Sequence, residues 1–583
     1  MNALSVQESF MKSLFFGEIQ ENLVFPFPQL DPGVSETLRM TLDSIEKFAQ
    51  TQVHSSEWDR QGKMPSEILQ KLAELGLMGI AVPEQWGGLD LPQMGYVRIM
   101  QQMAGIDASL ATTLGAHQSI GYKALLLFGT DEQKKRYLPR LASGELIACY
   151  CLTEPGSGSD AASIQTKAVL SEDEKYYHLT GNKLWITNAA VASFMTIFAK
   201  TPCQEVGKEK ITCFLLELPA AGVTVGPSED KLGLRGSWTN AIHFENVRIP
   251  VENVVGGVGQ GFKVAMGVLN HGRLGLAAGC VGSARVAISG AVAHANERVQ
   301  FQKKIGEFGM IQEKIGRMVT QLYVAESVLY LTASLIDRKT VDYSIESAIA
   351  KVFSSEMIWE VADETLQIWA GAGYMKEYPY ERILRDARIN RIFEGTNEIL
   401  RSYIALAGMQ APGQELAGLA EAIRDPLRGL GLVTEFVFRK FKHSTIGQSI
   451  LSRSMSKPHP ALKKMAALLE ECALEFATQV EVLLRRHGKS IVRCQFAQKR
   501  IADIAIDAYA MVATLSRVTL AIETHGESAC SDELAIAEVF FTRANRRIHG
   551  NFKAISKNDD DVMKWIAGKA YEKGGYPFEV LKY

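Results

Sequence analysis

The stretch IACYCLTEPGSGSD, residues 147–160, joins two kinds of sequence. Its first half is a short apolar run in which Cys149 and Cys151 stand two apart, the spacing that puts side chains on one face of a strand. Its second half is a glycine–serine loop. Upstream, SETLRMTLDSIEKFAQTQV and PSEILQKLAELGLMGIAVP carry apolar residues every three or four positions, the helical period. TDEQKKRYLPRLASGE reads as a capped, exposed helix. Downstream, YYHLTGNKLWIT, FMTIFAKT, ITCFLLEL and AIHFENVRI are short runs rich in β-branched and aromatic residues, punctuated by Gly, Asn, Pro and Ser. Helical periodicity resumes at Phe262, and GMQAPGQELAG marks a further boundary. The expected architecture is mainly α with a central β domain: a helical N-terminal domain over 1–145, an antiparallel β domain over 146–261, a helical bundle over 262–408 and an added helical domain over 409–583. A chain of 583 residues is too long for one ordinary core.

Composition narrows the function. Sixty-three basic against 65 acidic residues give a net charge of -2, so nothing global points to nucleic acid. The eight cysteines are scattered with no CxxC pair, which fits small buried residues in a reducing compartment and no metal site. The opening 29 residues hold one lysine and no arginine, unlike a signal or transit peptide. No uninterrupted apolar run reaches membrane-spanning length. The expected location is the bacterial cytoplasm, with peripheral contact at the inner membrane, or the mitochondrial matrix or inner membrane after loss of a presequence.

Three places invite chemistry. In YCLTEPGSGSD, backbone N–H groups and hydroxyls would suit an anionic ligand, and would equally serve a plain turn. The loop is neither a P-loop, which needs GxxxxGK[ST], nor a dinucleotide fingerprint, whose third glycine is missing. In KLWITNAA, strand alternation would set Trp185 and Thr187 on one face, either packed in the core or offered to a planar cofactor. In RIFEGTNEIL, Glu394 follows Ile392 and Phe393, which would desolvate it, and precedes Gly395, which permits close backbone approach. Desolvation raises a carboxylate's pKa toward the range of a general base.

These segments, with GFKVAMGVLNHGR and QIWAGAGYMKEYPYERILRDARI, occur in an order that resembles the acyl-CoA dehydrogenase family. The opening LFFGEIQENLVFPFP and the long C-terminal block resemble its very-long-chain branch, including the paralogue known as member nine. The resemblance implies FAD as cofactor, acyl-CoA as substrate and trans-2-enoyl-CoA as product, with electrons passed to an electron-transferring flavoprotein. It implies Glu394 as catalytic base. It places flavin contacts at Tyr150, Cys151, Leu152, Thr153, Gly158 and Ser159, and at Trp185, Ile186 and Thr187. Thr396, Asn397 and Glu398 would touch the adenine side. Arg298, Phe301, Gln367 and Gly371 would reach the flavin of a neighbouring subunit, which implies a homodimer. Substrate contacts fall on Ser159, Asn270, Arg273, Phe393 and Gly395.

Some relatives carry the base one residue before the arginine matching Arg273; here that position is Gly272. Many relatives read Phe-Gly where this chain has Phe301-Gln302; member nine also lacks that glycine. Ala111 and Gly115 match positions at the cavity floor, and their i, i+4 spacing puts both on one helix face. Small residues there imply a long acyl tail, or a close helix contact. Residues 426–457, with PLRGLGLVTEFVFRKFKHSTIG, read as a basic amphipathic segment that would touch an anionic membrane or dock on its own domain. Member nine implies an alternative role, in the assembly of respiratory complex I.

Overall fold

The structure, a computed structural model, describes residues 8–203, 207–339, 341–424 and 455–581. They form two units: Pro26–Leu400, and Ser9–Phe25 with Arg401–Tyr583.

Helices α1 (Phe10–Leu14) and α2 (Glu21–Val24) belong to the second unit. The first unit opens with α3 (Pro32–Gln52), α4 (Ser55–Gln61) and α5 (Glu67–Glu74). Then come α6 (Gln93–Ile106), α7 (Ala108–Gly115), a π-helical turn over Ala116–Gly121, α8 (Lys123–Phe128) and α9 (Asp131–Ala142). The Asp107 carboxylate caps α7 by accepting from Leu110 N–H at 2.8 Å. Thr130 and Gln133 form a capping box on α9, and Gln133 Nε2 also donates to the carbonyls of Glu252 and Val254 at 2.7 and 2.9 Å. One glutamine thus starts a helix and ties it to the β domain.

That domain holds β1 (Ala148–Cys151), β2 (Lys167–Leu170), β3 (Tyr176–Thr187), β4 (Phe194–Cys203), β5 (Lys208–Glu217), β6 (Val223–Ser228), β7 (Thr239–Pro250) and β8 (Val254–Val255). The order is β6-β7-β3-β2-β4-β5-β8, with β1 also on β4. Most pairs are antiparallel, as expected, while β1 and β2 both run parallel to β4. Side-chain texture does not encode strand direction. Buried His117 joins the helices to the sheet: Ala148 N–H donates to its Nδ1 at 2.9 Å, so its Nε2 carries the proton, donated to Leu141 O at 3.1 Å. Burial lowers this imidazole to about 4 and keeps it neutral.

The bundle follows as α10 (Gly261–Glu297), α11 (Gly309–Asp337), α12 (Ser344–Tyr374) and α13 (Tyr380–Arg388), with α14 (Asn397–Arg424) starting at its end. α10 is rich in glycine, which weakens a helix but lets a neighbour come close. A Cβ on Gly282 would sit 1.9 Å from Gln101 O of α6. α12 is broken at Ala370, whose φ is 53°.

In the second unit, α15 (Lys463–His487), α16 (Gln495–His525) and α17 (Ser531–Ser556) share a core with α1 and α2, while α18 (Asp560–Lys573) buries none of its residues. The Phe15 ring meets Phe476 edge-on at 4.8 Å, and Phe10 lies 5.9 Å from Tyr509. Residues 9–25 therefore depart from the expected N-terminal domain, because their aromatics fill the C-terminal core. A second correction concerns length and hydropathy. Helices α10, α11 and α16 are long and apolar enough to cross a membrane, and much of each lies buried inside the fold. The expected basic amphipathic segment lies, for residues 425–454, outside the described residues.

Candidate active site

Glu394 sits in the turn between the short helix Ile389–Arg391 and α14, with φ of 58°, followed by Gly395 at 93°. A glutamate in the left-handed region is strained, and such strain persists only where surroundings hold it. Arg273 Nε of α10 donates to Glu394 O at 3.3 Å, and Lys351 Nζ of α12 donates to Gly395 O at 2.8 Å. The carboxylate Oε2 is shut from solvent and accepts no hydrogen bond. Among the described residues, the Glu394 backbone N–H also has no protein acceptor. Desolvation raises the Glu394 carboxyl to about 7, against the opposing pull of Arg273 and Lys351.

Gly272 faces this carboxylate. A Cβ there would stand 2.7 Å from Glu394 Oε2 and 2.8 Å from Ile120 Cγ2. The two positions available for a base therefore open on one space, and only Glu394 fills it.

From Glu394 a cavity runs between α7 and α10. Phe393, Ile120 and Thr187 line it beside Glu394, and Ala111, Gly115, Gly275 and Gly279 line its walls. Small residues make up much of the lining, with Met100, Leu234 and Leu276 also on the walls. A Cβ on Gly115 would meet nothing closer than Met100 Cε at 3.5 Å, which leaves room rather than a tight helix contact.

The β domain supplies the other wall. Trp185 stands off the core side that Ile186 takes, as Thr187 does. A bulge between Lys183 and Ile186 and a φ of 58° turn its indole outward, 60% exposed, while Ile186 goes to the core and Thr187 to the cavity. Cys151 and Leu152 are buried, Thr153 is half-buried, and Gly158 and Ser159 are exposed. Tyr150 Oη is buried without a partner. An outward indole, a hydroxyl on the cavity wall and a buried orphan hydroxyl fit a planar group with polar edges.

Sequence reasoning missed what holds this loop. Buried Glu154 accepts from Lys183 Nζ at 2.7 Å and from Thr166 N–H at 3.1 Å, and also from Gln165 N–H, while Lys183 donates to Leu152 O at 3.1 Å. Lys183 directly before the apolar Leu184, Trp185 and Ile186 was the available signal. Lys351 was missed likewise, although a lysine interrupts the small and apolar run SAIAKVF.

Other expected contacts separate. Asn270 lies beside Arg273, whose Nη1 donates to its Oδ1 at 2.9 Å. Asn397 departs from a ligand contact at its side chain, which is fully buried and bonded to Lys351 at 2.7 Å and Ser355 at 3.0 Å. Thr396 Oγ1 accepts from Ile399 N–H at 3.3 Å, and Glu398 is exposed. Arg298, Phe301, Gln367 and Gly371 are all exposed, Phe301 at 88%. The eight cysteines are free, and no cluster of metal-binding side chains exists among the described residues.

Family models for the acyl-CoA dehydrogenase N-terminal, middle and C-terminal domains match residues 35–145, 149–247 and 259–409. The model described as ACAD9/ACADV, C-terminal domain, matches 460–576. The mitochondrial very long-chain specific acyl-CoA dehydrogenase of Homo sapiens is 43% identical over 98% of this chain and 89% of its own. A probable acyl-CoA dehydrogenase of Bacillus subtilis is 35% identical over 91% of this chain and 88% of its own. The crystal structure of acyl-CoA dehydrogenase complexed with FAD from Bacillus anthracis shares 32% identity and a TM-score of 0.79, covering 99% of this chain and 97% of that one.

Fold, site and matches define the class, flavin-dependent oxidoreductases. The chain belongs to the acyl-CoA dehydrogenase family, and its full-length likeness is to the very-long-chain branch.

Proposed function

We propose that the chain oxidises long-chain acyl-CoA to trans-2-enoyl-CoA in fatty acid β-oxidation, with Glu394 as the base. The observation that carries this is the Glu394 carboxylate, desolvated and unpartnered, at the head of a cavity walled by small residues. FAD, when bound, supplies the acceptor for the hydride leaving the β-carbon. Tyr150 to Thr153 with Gly158 and Ser159, Trp185 to Thr187, and Thr396 and Glu398, with Asn397 through its backbone alone, would hold it.

Glu394 takes the α-proton onto its unpartnered oxygen. Phe393 and Ile120 exclude water, which strengthens every charge interaction within. The unpaired Glu394 N–H donates to the thioester carbonyl as negative charge develops there, the oxyanion type of stabilisation. Asn270 and Arg273, with Ser159 at the mouth and Gly395 beside the base, would contact the CoA thioester. Ala111 and Gly115 leave depth for the tail, each buried methylene being worth about 0.8 kcal/mol. The domain divisions 1–145, 146–261, 262–408 and 409–583 assign cofactor and substrate to the first three.

The exposed Arg298, Phe301, Gln367 and Gly371 support a homodimer in which they complete a partner's cofactor site. An electron-transferring flavoprotein would take the electrons. Eight free cysteines suit a reducing compartment, bacterial cytoplasm or mitochondrial matrix, and relatives of both origins match. A peripheral membrane contact through 426–457 is the part of this reading tested by vesicle binding. A second reading, a scaffold role in complex I assembly, is favoured by Val562, Met563, Trp565 and Ile566, all exposed on α18.

The test is anaerobic titration of the purified yellow protein with palmitoyl-CoA. Bleaching of the flavin band is expected, and Glu394→Gln should bind flavin and acyl-CoA yet reduce roughly 10² to 10⁴ times more slowly. Retained reduction in that variant rejects the base. Flavin-free protein that co-purifies with respiratory subunits favours the scaffold.

A further inference from the structure

Lys351 lies in the first third of α12 with no exposed surface, a costly place for an ammonium group. Its donors go to the catalytic turn: Gly395 O at 2.8 Å and Asn397 Oδ1 at 2.7 Å. Asn397 is locked in turn by Ser355 Oγ at 3.0 Å and Glu356 Oε1 at 3.3 Å. From the opposite side Arg273 holds the carbonyl of Glu394 itself. Two cations from two helices thus grip consecutive carbonyls of a turn whose two residues both have positive φ.

We propose that Lys351 is a positioning residue for Glu394, holding the strained turn so that the carboxylate faces Gly272 and supplying positive charge that keeps it ionised. This rests on Glu394 being the base. The charged and titratable groups around that carboxylate are Arg273 from α10, Lys351 from α12, Tyr96 from α6 and Tyr150 from β1. Around Lys351 they are Cys280 and Arg273 of α10, Glu356 of α12 and Glu394. Lys351 and Arg273 are the two cations in this set. A nearby cation favours the ionised carboxylate, so removing one raises the pKa of Glu394 and moves the acid limb of the rate profile to higher pH.

Lys351→Met, Lys351→Gln and Lys351→Arg are compared with Glu394→Gln by anaerobic flavin reduction with palmitoyl-CoA across pH 5.5 to 9, with flavin content measured on each. Lys351→Met should retain flavin and slow reduction about 100-fold, the size expected of a misplaced reacting group. Lys351→Gln keeps a donor and loses only charge, so it should recover part of the rate while its acid limb stays about one unit high. Lys351→Arg should restore the limb. If Lys351→Met does not accumulate as folded flavoprotein, Lys351→Gln alone decides. A native rate and native limb in a flavin-loaded Lys351→Gln overturn the proposal. Reduction at the native rate by Glu394→Gln instead overturns the base assignment, leaving the two failures distinct.

Discussion

A carboxyl of about 7 in the fold, against an ordinary 4.5, has two consequences of opposite sign. Abstraction needs the carboxylate, so flavin reduction at limiting acyl-CoA should fall tenfold per pH unit below about 7, checked by stopped-flow rates from pH 5.5 to 9. Stability runs the other way. The folded state favours the neutral acid, so this contribution is full below the unfolded pKa and is lost as pH rises through 7. Glu394→Gln, neutral throughout, should therefore gain in melting temperature over the native chain at pH 8 and not at pH 4.5, as calorimetry would show. Gly272→Ala tests the shared space: its Cβ would collide with Oε2, so flavin content should hold while reduction slows about 100-fold. Sequence made Glu394 legible, because an acid set between Phe393 and Gly395 is an uncommon local arrangement. It could not reveal Lys351 or the Glu154–Lys183 pair, which act through partners 44 and 29 residues away.

Element order was readable because helices and strands bury different periods, and the change of texture near residue 146 falls where β1 begins at Ala148. Departures from regular geometry were not readable. The bulge that turns Trp185 outward and the break at Ala370 depend on what neighbouring strands and helices allow. The same holds for β1 lying parallel to β4, a pairing that skips over two intervening strands. On α7, Ala111 and Gly115, named by the resemblance and set on one face by the helical period, both line the cavity. Filling that wall with Gly115→Leu should lower kcat/KM for palmitoyl-CoA and spare butyryl-CoA. Each methylene displaced costs about 0.8 kcal/mol, roughly fourfold per carbon, read from a chain-length series. Equal losses for both substrates would mean packing damage rather than a shortened pocket. Within β3, Lys183→Met leaves Glu154 a buried carboxylate without its cation, a change that commonly costs about 3–5 kcal/mol. Bound flavin per chain, measured by absorbance, should fall with it, since that pair anchors the loop from Leu152 to Thr166.

At the scale of the whole molecule, residues Ser9–Phe25 belong to the unit that Arg401–Tyr583 form. Phe15 is 1% exposed against Phe476, and Gly408 is without a side chain where the Phe15 ring lies, since a Cβ there would come within 2.2 Å of it. Arg401 Nε adds a 2.6 Å bond to Asp503 at the start of that unit, and Ser516 Oγ donates to Val24 O at 2.5 Å. All proposed flavin contacts lie among the residues of the other unit. Binding stabilises only what it touches, by an amount set by ligand concentration over Kd. Phe15→Ala should cost the second unit about 3–5 kcal/mol, the usual range for a buried phenylalanine. In differential scanning calorimetry the native protein should then show a transition that rises with added FAD and one that does not. The variant should lower the FAD-insensitive transition while reduction of its flavin by palmitoyl-CoA stays near the native rate. If both transitions drop together, the two cores unfold as one and residues 9–25 support the catalytic unit as well.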